Sequence, residues 1–169
     1  MMLTPLRRRL AAFAVVLLVP ALGGCGIAGF AGEDYQTDQV YQPAVGTNVR
    51  SGEVDILGAA VVSGIDGSGT FIASLVNKSL KTPAQLTSVT GPTGVTVQLV
   101  KPVDVAPDTL VNLADEGAVS VTGPSVKAGG WVKLTLKFDT GQSTSVNTTI
   151  VDRDLQFSQV PPAISSTAP

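Results

Sequence analysis

The sequence predicts an all-β fold, an antiparallel β-sandwich that occupies residues 51–158. Short runs rich in Val, Ile, Leu and Thr are separated by clusters of Gly, Pro, Asn and Asp, which is the composition of strands joined by turns. Two runs alternate strictly between apolar and polar residues, and no run in this region has the 3.6-residue apolar spacing of an amphipathic helix. We count eight or nine candidate strands, which is typical of a single sandwich domain.

The first predicted hairpin joins the runs VDILGAAVVSG and TFIASLVN. The residues between them, IDGSG at 65–69, contain two glycines. Glycine adopts the positive φ angles that tight hairpin turns require. We therefore expect two long antiparallel neighbours here.

Four shorter runs follow, with the sequences QLTSVTG, VTVQLV, TLVNLA and AVSVTG. Prolines at positions 92, 102, 107 and 124 lie in the connections between them. Proline cannot donate a hydrogen bond and is rare inside central strands. Each run is therefore predicted as one strand, with breaks at the prolines.

The last two runs, WVKLTLKFD and STSVNTTIVD, form the second predicted hairpin, with its reversal near Gly141. Their strict alternation predicts one buried and one solvent-exposed face for each strand. The residues predicted to face the core are Val132, Leu134, Leu136 and Phe138 from the first run and Val146, Thr148 and Ile150 from the second.

The N-terminal residues carry the pattern of a secretory signal over residues 1–24. Arg7, Arg8 and Arg9 precede an apolar stretch that spans residues 10–22, as in the positive and apolar regions of signal peptides. The stretch is shorter than the roughly 20 residues of a membrane-spanning helix, and Pro20 falls near its end. We expect a signal helix that is cleaved.

The chain has one cysteine, Cys25, directly after Leu22, Gly23 and Gly24. This tetrapeptide resembles the lipobox of bacterial lipoproteins, in which diacylglycerol is attached to the Cys sulfur and the signal is cut just before it. A thioether needs a nucleophilic thiol, and the peptidase needs small residues beside the cut. The alternative is a free Cys buried as a small apolar residue. We interpret Cys25 as a lipid attachment site that holds the protein on the extracytoplasmic face of the cell membrane, since two acyl chains give stable anchoring.

The segments on either side of the sandwich are predicted to be flexible. Residues 25–50 lack a sustained period, and a linker of this length reaches about 25–30 Å. Residues 159–169 are mostly Pro, Ser, Thr and Ala with little to bury, so we expect a disordered tail.

Charge and composition exclude several classes of function. Without the signal, the chain has eight basic and thirteen acidic residues, which gives a formal charge of −5. No basic stripe is present, which disfavours binding to nucleic acid. A single Cys cannot form an intramolecular disulfide.

Common catalytic chemistry is also missing. The chain has no His, and its one thiol is assigned to lipid, so Ser-His-Asp and Cys-His nucleophiles and zinc sites of N and S ligands cannot be assembled. We predict no catalytic residue, no cofactor and no metal ligand, and we expect that the chain is not an enzyme.

Polar clusters in the sandwich have structural explanations that we prefer. The DGSG sequence that begins at Asp66 lacks the later carboxylates of a calcium loop and fits a hairpin turn. Asp152 and Asp154 fall on one face of a strand end by alternation, which fits solvated carboxylates. Asp115 and Glu116 fit a turn before a strand.

Other polar residues give equally weak signals. Ser79 and Lys81 do not match S-x-x-K and lie in a predicted loop. Trp131 falls on the exposed face of its strand, and an exposed Trp would mark a contact patch, but we expect a loop to cover the indole. The sequons at Asn77 and Asn147 are acceptors only where eukaryotic glycosylation exists.

Two segments, GSGTFIASLVNKS and VDVAPDTLVNLADEGAVSVTGPSVKAGGWVKLTLKF, carry a family resemblance. On these residues the body from Gly52 to Val151 resembles the periplasmic copper chaperone A family, in particular its actinobacterial lipoproteins. The match includes an L-K-x-G-like turn at residues 126–129 and a V-x-L-T-L-x-F strand at residues 132–138. The resemblance implies a cupredoxin-like or immunoglobulin-like sandwich.

The metal ligands of that family have no counterpart here. Members that carry Cu(I) use an H-x-M pair on the strand after a Gly-rich loop, and imidazole and thioether ligands suit this ion. The corresponding strand is GAVSVTG, so the pair falls near Val119 and Val121, and neither side chain binds metal. The only methionines, Met1 and Met2, leave with the signal. The resemblance therefore implies the fold without the ligands.

Three hypotheses about function follow. The preferred one is a membrane-tethered, non-enzymatic binding or assembly module with an unidentified envelope protein as partner. The second keeps copper delivery, with the ion held by carboxylates or by ligands of the partner. The third is an enzyme that uses carboxylates alone, which needs two acids about 5–10 Å apart in a cleft, near Asp152, Asp154 or Asp115.

Overall fold

The structure is a computed structural model, and it describes residues 45–163. They form ten β-strands, one short α-helix and one 3₁₀ turn. The elements are β1 (Thr47–Val49), β2 (Val54–Ile65), β3 (Ser68–Asn77), β4 (Ala84–Thr90), β5 (Thr96–Leu99), β6 (Val103–Val105), β7 (Leu110–Asn112), α1 (Leu113–Glu116), β8 (Val119–Thr122), β9 (Trp131–Phe138), β10 (Ser143–Asp152) and the 3₁₀ turn (Leu155–Phe157).

The strands form one curled sheet that closes around a core, so the predicted all-β sandwich is confirmed. The order across the sheet is β5-β8-β3-β2-β10-β9-β4-β6, with β1 paired to β2 and β7 paired to β3. Most neighbours are antiparallel, but β2 and β10 run parallel, with Ala60 opposite Thr149. This parallel pair joins the two hairpins and was not predicted.

Both predicted hairpins are present. In the β9–β10 pair, Leu134 lies opposite Val146 and Val132 opposite Thr148. The turn between these strands contains Gly141 with φ +86°, a value that L side chains rarely adopt. The Thr148 hydroxyl donates a buried hydrogen bond of 2.7 Å to the Val132 carbonyl, which explains how a hydroxyl is tolerated in the core.

The β2–β3 hairpin is the longer of the two and carries two register shifts, each with one extra residue on β2. Its turn contains Gly67 with φ +88°. The Ser63 hydroxyl donates to the carbonyls of Ile65 and Ser68, at 2.8 Å each. These bonds pin the irregular end of β2 to the start of β3.

The core lies between the faces of the curled sheet. Its inward residues follow the predicted alternation on β9 and β10, where every second side chain is buried. The largest fully buried side chains are Phe71, Ile56, Leu75, Leu86, Leu113, Leu134, Leu136 and Ile150.

The folded domain extends beyond both predicted boundaries. Strand β1 lies in the segment predicted as a tether, where the Thr47 hydroxyl donates to the Asn147 carbonyl at 2.7 Å and the Asn48 side-chain oxygen accepts from the Gly58 amide at 2.8 Å. At the other end Val160 is 8% exposed, although residues 159–169 were predicted as a disordered tail. Segments with few apolar residues are thus held by side-chain hydrogen bonds and one buried valine.

The run TLVNLA is only partly a strand. It divides into β7 and α1, because the Asn112 side chain accepts from the Ala114 amide at 3.1 Å and caps the helix. Gly117 ends the helix in the left-handed conformation, with φ 56°. Leu113 is fully buried at the junction.

The predicted signal helix, Cys25, the tether up to residue 44 and the tail from residue 164 lie outside the described residues. Within the described part, no helix has the length and apolar character needed to cross a membrane.

Candidate functional site

Strand β8 carries Val119 and Val121, the positions at which the family resemblance places its metal-binding pair. Both side chains are 0% exposed and belong to the main apolar cluster. The strand lies between β3 and β5 in the sheet. The two valines therefore fill the core and present nothing to solvent.

The opposite side of β8 is buried as well. Ser120 is 3% exposed and lies opposite Thr70 of β3, which is 1% exposed. The Thr70 hydroxyl donates to the Pro161 carbonyl at 2.7 Å, which places the segment after the 3₁₀ turn against this side of the sheet. Both faces of this part of the sheet are thus closed by the chain itself.

The candidate carboxylates are distributed over two cavities. Asp152 and Asp154 line one groove of about 450 Å³ together with Leu155 and Phe157. Asp115 lines a different cavity of about 280 Å³, and its carboxylate accepts from the Asn112 amide group at 3.2 Å. The groove is the one place in residues 45–163 where two of the three candidate acids meet.

The setting of this groove does not resemble an acid–base pair. Asp152 and Asp154 are both exposed, and no hydrogen bond or ion pair within the described part of the chain holds either carboxylate. Acid–base catalysis by two carboxylates needs one of them kept protonated by a buried or apolar setting. Within the described residues, no group of three or more His, Cys, Asp or Glu side chains could hold a metal ion.

The other polar clusters have the structural roles predicted for them. Asp66 lies in the β2–β3 turn, with its carboxylate 3.7 Å from the Lys127 ammonium. The Ser79 hydroxyl accepts from the Thr82 amide at 2.9 Å and orders the loop before β4. Neither Asp66 nor Ser79 is placed as a ligand or nucleophile.

An ion pair between the buried Asp55 and the exposed Lys78 was missed by the sequence interpretation. Asp55 is 7% exposed, and its carboxylate lies 2.9 Å from the Lys78 ammonium. The only signal was an acid inside the apolar run VDIL, because burying a carboxylate requires a partner. Its position at the paired ends of β2 and β3 gives it a structural role.

Trp131 is an exposed apolar residue beside a concave surface. Its side chain is 59% exposed, so the expectation that a loop covers the indole is wrong. Two glycines, Gly129 and Gly130, precede it and supply no covering side chain. The indole stands on the outer face of β9 as the alternation predicts.

We call the concave patch around this indole the Trp131 surface. It encloses about 220 Å³. Its members are Val45, Gly129, Gly130, Trp131, Thr149, Ile150 and Val151. The groove that holds Asp152 and Asp154 shares Gly129, Ile150 and Val151 with it, so the two concavities are continuous.

The floor of the Trp131 surface contains an unsatisfied hydroxyl. Thr149 lies directly opposite Trp131 in the β9–β10 register, and its Oγ1 is buried without a hydrogen-bond partner among the described residues. A buried polar atom without a partner costs about 1–3 kcal/mol. The surface therefore combines an exposed indole with a buried hydroxyl that has no partner among residues 45–163.

No protein-family model matches the chain, and no curated protein matches it. Among solved structures, the apo PCuAC domain from PmoF1 is similar at 18% identity with a TM-score of 0.55, over 62% of this chain and 98% of that chain. PCuAC denotes periplasmic copper chaperone A.

Two structures of the PCuAC domain from PmoF2 are also similar. The copper-bound form has 15% identity and a TM-score of 0.51, over 62% of this chain and 97% of that chain. The apo form has 16% identity and a TM-score of 0.52, over 64% and 97%. At these identities the likeness shows the fold, which agrees with the fold implied by the sequence resemblance.

Proposed function

We propose that this chain is an extracytoplasmic lipoprotein whose β-sandwich is a non-enzymatic binding or assembly module with the copper chaperone fold. The observation that carries the proposal is the burial of Val119 and Val121, both 0% exposed, at the positions to which the resemblance assigns the metal pair. The strand uses these positions for core packing. Support for the fold comes from the PCuAC domains, which match over nearly their whole length.

Copper affinity tests this part of the proposal. The mature chain is expected not to remove Cu(I) from a competing chromophoric chelator, because it has no His and no Met to bind the ion. Stoichiometric withdrawal of Cu(I) from the chelator would contradict the proposal. As a matched control, the double variant Val119→His with Val121→Met is expected to lose stability without gaining Cu(I) affinity, since both side chains point into the core.

The anchor is proposed to be diacylglycerol on Cys25. The support is the signal pattern over residues 1–24 and the small residues before the thiol. Mass spectrometry of native protein is expected to show an N-terminus at Cys25 with added lipid mass, and Cys25→Ser is expected to leave the membrane fraction. An uncleaved and unmodified N-terminus would refute the anchor but not the binding module.

The partner is proposed to be an envelope protein that docks on the Trp131 surface. Exposed indoles are enriched where proteins meet, and the Thr149 hydroxyl lacks a hydrogen-bond partner within the described part of the chain. Asp152 and Asp154 line the continuous groove and disfavour an anionic lipid surface. A protein segment with apolar side chains followed by basic ones would match both the patch and the charges.

Site-specific photocrosslinking in intact cells tests this docking. A photoreactive residue in place of Trp131 is expected to give one discrete adduct, which the Asp152→Lys and Asp154→Lys changes weaken. The matched control is the same photoreactive residue in place of Leu80, which is 76% exposed in the loop between β3 and β4. Equal adducts from both positions, or adducts insensitive to the charge changes, would contradict the assignment.

Copper delivery with ligands from a partner is the second candidate. The observation that favours it is the shared fold with a copper-bound PCuAC domain. Genes for copper transport or oxidase assembly beside the gene for this chain would support it. Cu(I) retention only in the presence of such a partner would establish it.

A further inference from the structure

Another cavity lies between the β2–β3 hairpin and the C-terminal segment. It measures about 190 Å³. Its lining residues are Val62, Gly64, Ile65, Ser68, Gly69, Arg153, Pro162 and Ala163. The cavity does not share a residue with the Trp131 surface.

The cationic group in this cavity is the Arg153 guanidinium, which has no ion-pair partner among residues 45–163. Its Nε atom is buried without a hydrogen-bond acceptor. The neighbouring acids Asp152 and Asp154 are exposed, and within residues 45–163 neither forms an ion pair with the guanidinium. A buried donor of a charged group without an acceptor costs free energy, so the arrangement favours an acceptor brought from outside.

The local structure holds the Arg153 side chain beside the β2–β3 turn. Arg153 continues the parallel ladder, with its amide donating to the Ser63 carbonyl at 3.0 Å. Its side chain passes over Gly64, where an added Cβ would lie 3.4 Å from the Arg153 Cδ. The nearby turn carbonyls of Ile65 and Ser68 already accept from the Ser63 hydroxyl.

The other lining residues are apolar or glycine, apart from Ser68. Val62, Ile65, Pro162 and Ala163 surround the charged group, and Ile65 is 71% exposed at the rim. Water occupies about 30 Å³ per molecule in the liquid, so the cavity has room for a small organic group. An arginine pairs with a carboxylate or phosphate through two parallel hydrogen bonds.

From this combination we infer that the Arg153 cavity binds a small oxyanion, a carboxylate or a phosphate, that carries a short apolar substituent. The charged head lies on the guanidinium and the substituent lies against Ile65, Pro162 and Ala163. The inference is independent of the lipid anchor and of copper, since it uses none of the residues assigned to either.

Arginine side-chain NMR tests the inference directly. Outside the signal segment the chain has only two arginines, Arg50 and Arg153, so their two Nε–H signals are separable and Arg50 is an internal control. The whole mature chain in detergent micelles is titrated at constant ionic strength with acetate, butyrate and inorganic phosphate. We expect a saturable shift of the Arg153 signal, with half-saturation at about 1–10 mM, and only a small linear shift of the Arg50 signal.

The probes distinguish the two ligand classes. Tighter binding of butyrate than of acetate assigns a carboxylate with an apolar tail, and saturation by phosphate alone assigns a phosphate. Arg153→Lys keeps the charge but loses the paired donors, so we expect about tenfold weaker binding, monitored through the amide signals around Ser68. Arg50→Lys is expected to bind like the parent chain.

Three results would overturn the inference. They are equal shifts of both arginine signals, no saturation with any of the three anions, and unchanged affinity of the Arg153→Lys variant. The titration of the parent chain decides the matter even if a variant fails to fold.

Discussion

The side chain of Asn77 makes three hydrogen bonds at the end of β3. Its amide donates to the carbonyls of Thr82 and Val105, at 2.9 and 3.0 Å, and its oxygen accepts from the Ser79 amide at 3.0 Å. The residue is 1% exposed. The asparagine of this sequon therefore connects the loop at Thr82 to strand β6. Its side chain is too buried to carry a glycan.

Asn77→Ala is expected to lower the free energy of unfolding by about 3 kcal/mol, because one buried carbonyl, one partly buried carbonyl and one amide lose their partners. Urea denaturation measures the loss. Asn147→Ala provides the matched control, since Asn147 is the asparagine of the other sequon and is exposed on β10. We expect a change within about 0.5 kcal/mol there, and similar losses for both variants would contradict the role given to Asn77.

Single residues also decide how far the candidate sites could be predicted from the sequence. The alternation of β9 places Trp131 outward, but its exposure depends on Gly129 and Gly130, which leave it uncovered. The Arg153 cavity depends on Gly64 and Gly69 coming beside a residue nearly 90 positions later in the chain. Such a juxtaposition has no local signal, because register between distant strands is set by tertiary packing.

At the scale of elements, the two hairpins were predicted from the sequence, and strand β1 and helix α1 were not. Strands β9 and β10 have one wet and one buried face, so their apolar residues fall at every second position. Strand β1 has three residues, and its partner β2 supplies the pairing that defines it. Helix α1 did have a readable signal, an Asn cap at Asn112 and a Gly at position 117, within a run predicted as a strand.

The β9–β10 turn gives a prediction at this scale. Gly141→Ala is expected to cost about 1–2 kcal/mol, because a Cβ is unfavourable at φ +86°. Space is not the cause, since nothing lies within 4 Å of a Cβ built there. Thermal unfolding of the Ala variant measures the cost.

Gly141→Asn is the control for the turn, because asparagine tolerates the left-handed region better than alanine. It is expected to lose less stability than the alanine variant. Equal losses, or a stable alanine variant, would show that the turn relaxes to another conformation.

At the scale of the whole molecule, the C-terminal segment completes the sandwich after its last strand. Val160 is 8% exposed, the Thr70 hydroxyl donates to Pro161, and Pro162 and Ala163 form a wall of the Arg153 cavity. A segment rich in Pro and Ala was predicted as a tail because composition does not reveal docking on a distant strand. The segment thus contributes both to stability and to a cavity.

Val160→Ala is expected to destabilise the domain by about 1.5 kcal/mol, from the loss of two buried carbon atoms. The comparison is Gln159→Ala at the neighbouring exposed position, with an expected change within about 0.5 kcal/mol. Equilibrium unfolding in urea measures both. No loss at Val160 would show that the segment is not held against the body.

The parallel pairing of β2 with β10 also has a kinetic consequence. Ala60 and Thr149 meet across 89 residues of chain, and contacts so distant in sequence slow folding because a large loop must close first. The ladder cannot form until the last strand has been synthesised. A chain shortened before β10 should therefore remain susceptible to proteases, and the complete chain should refold over milliseconds to seconds, as expected for β topologies of high contact order.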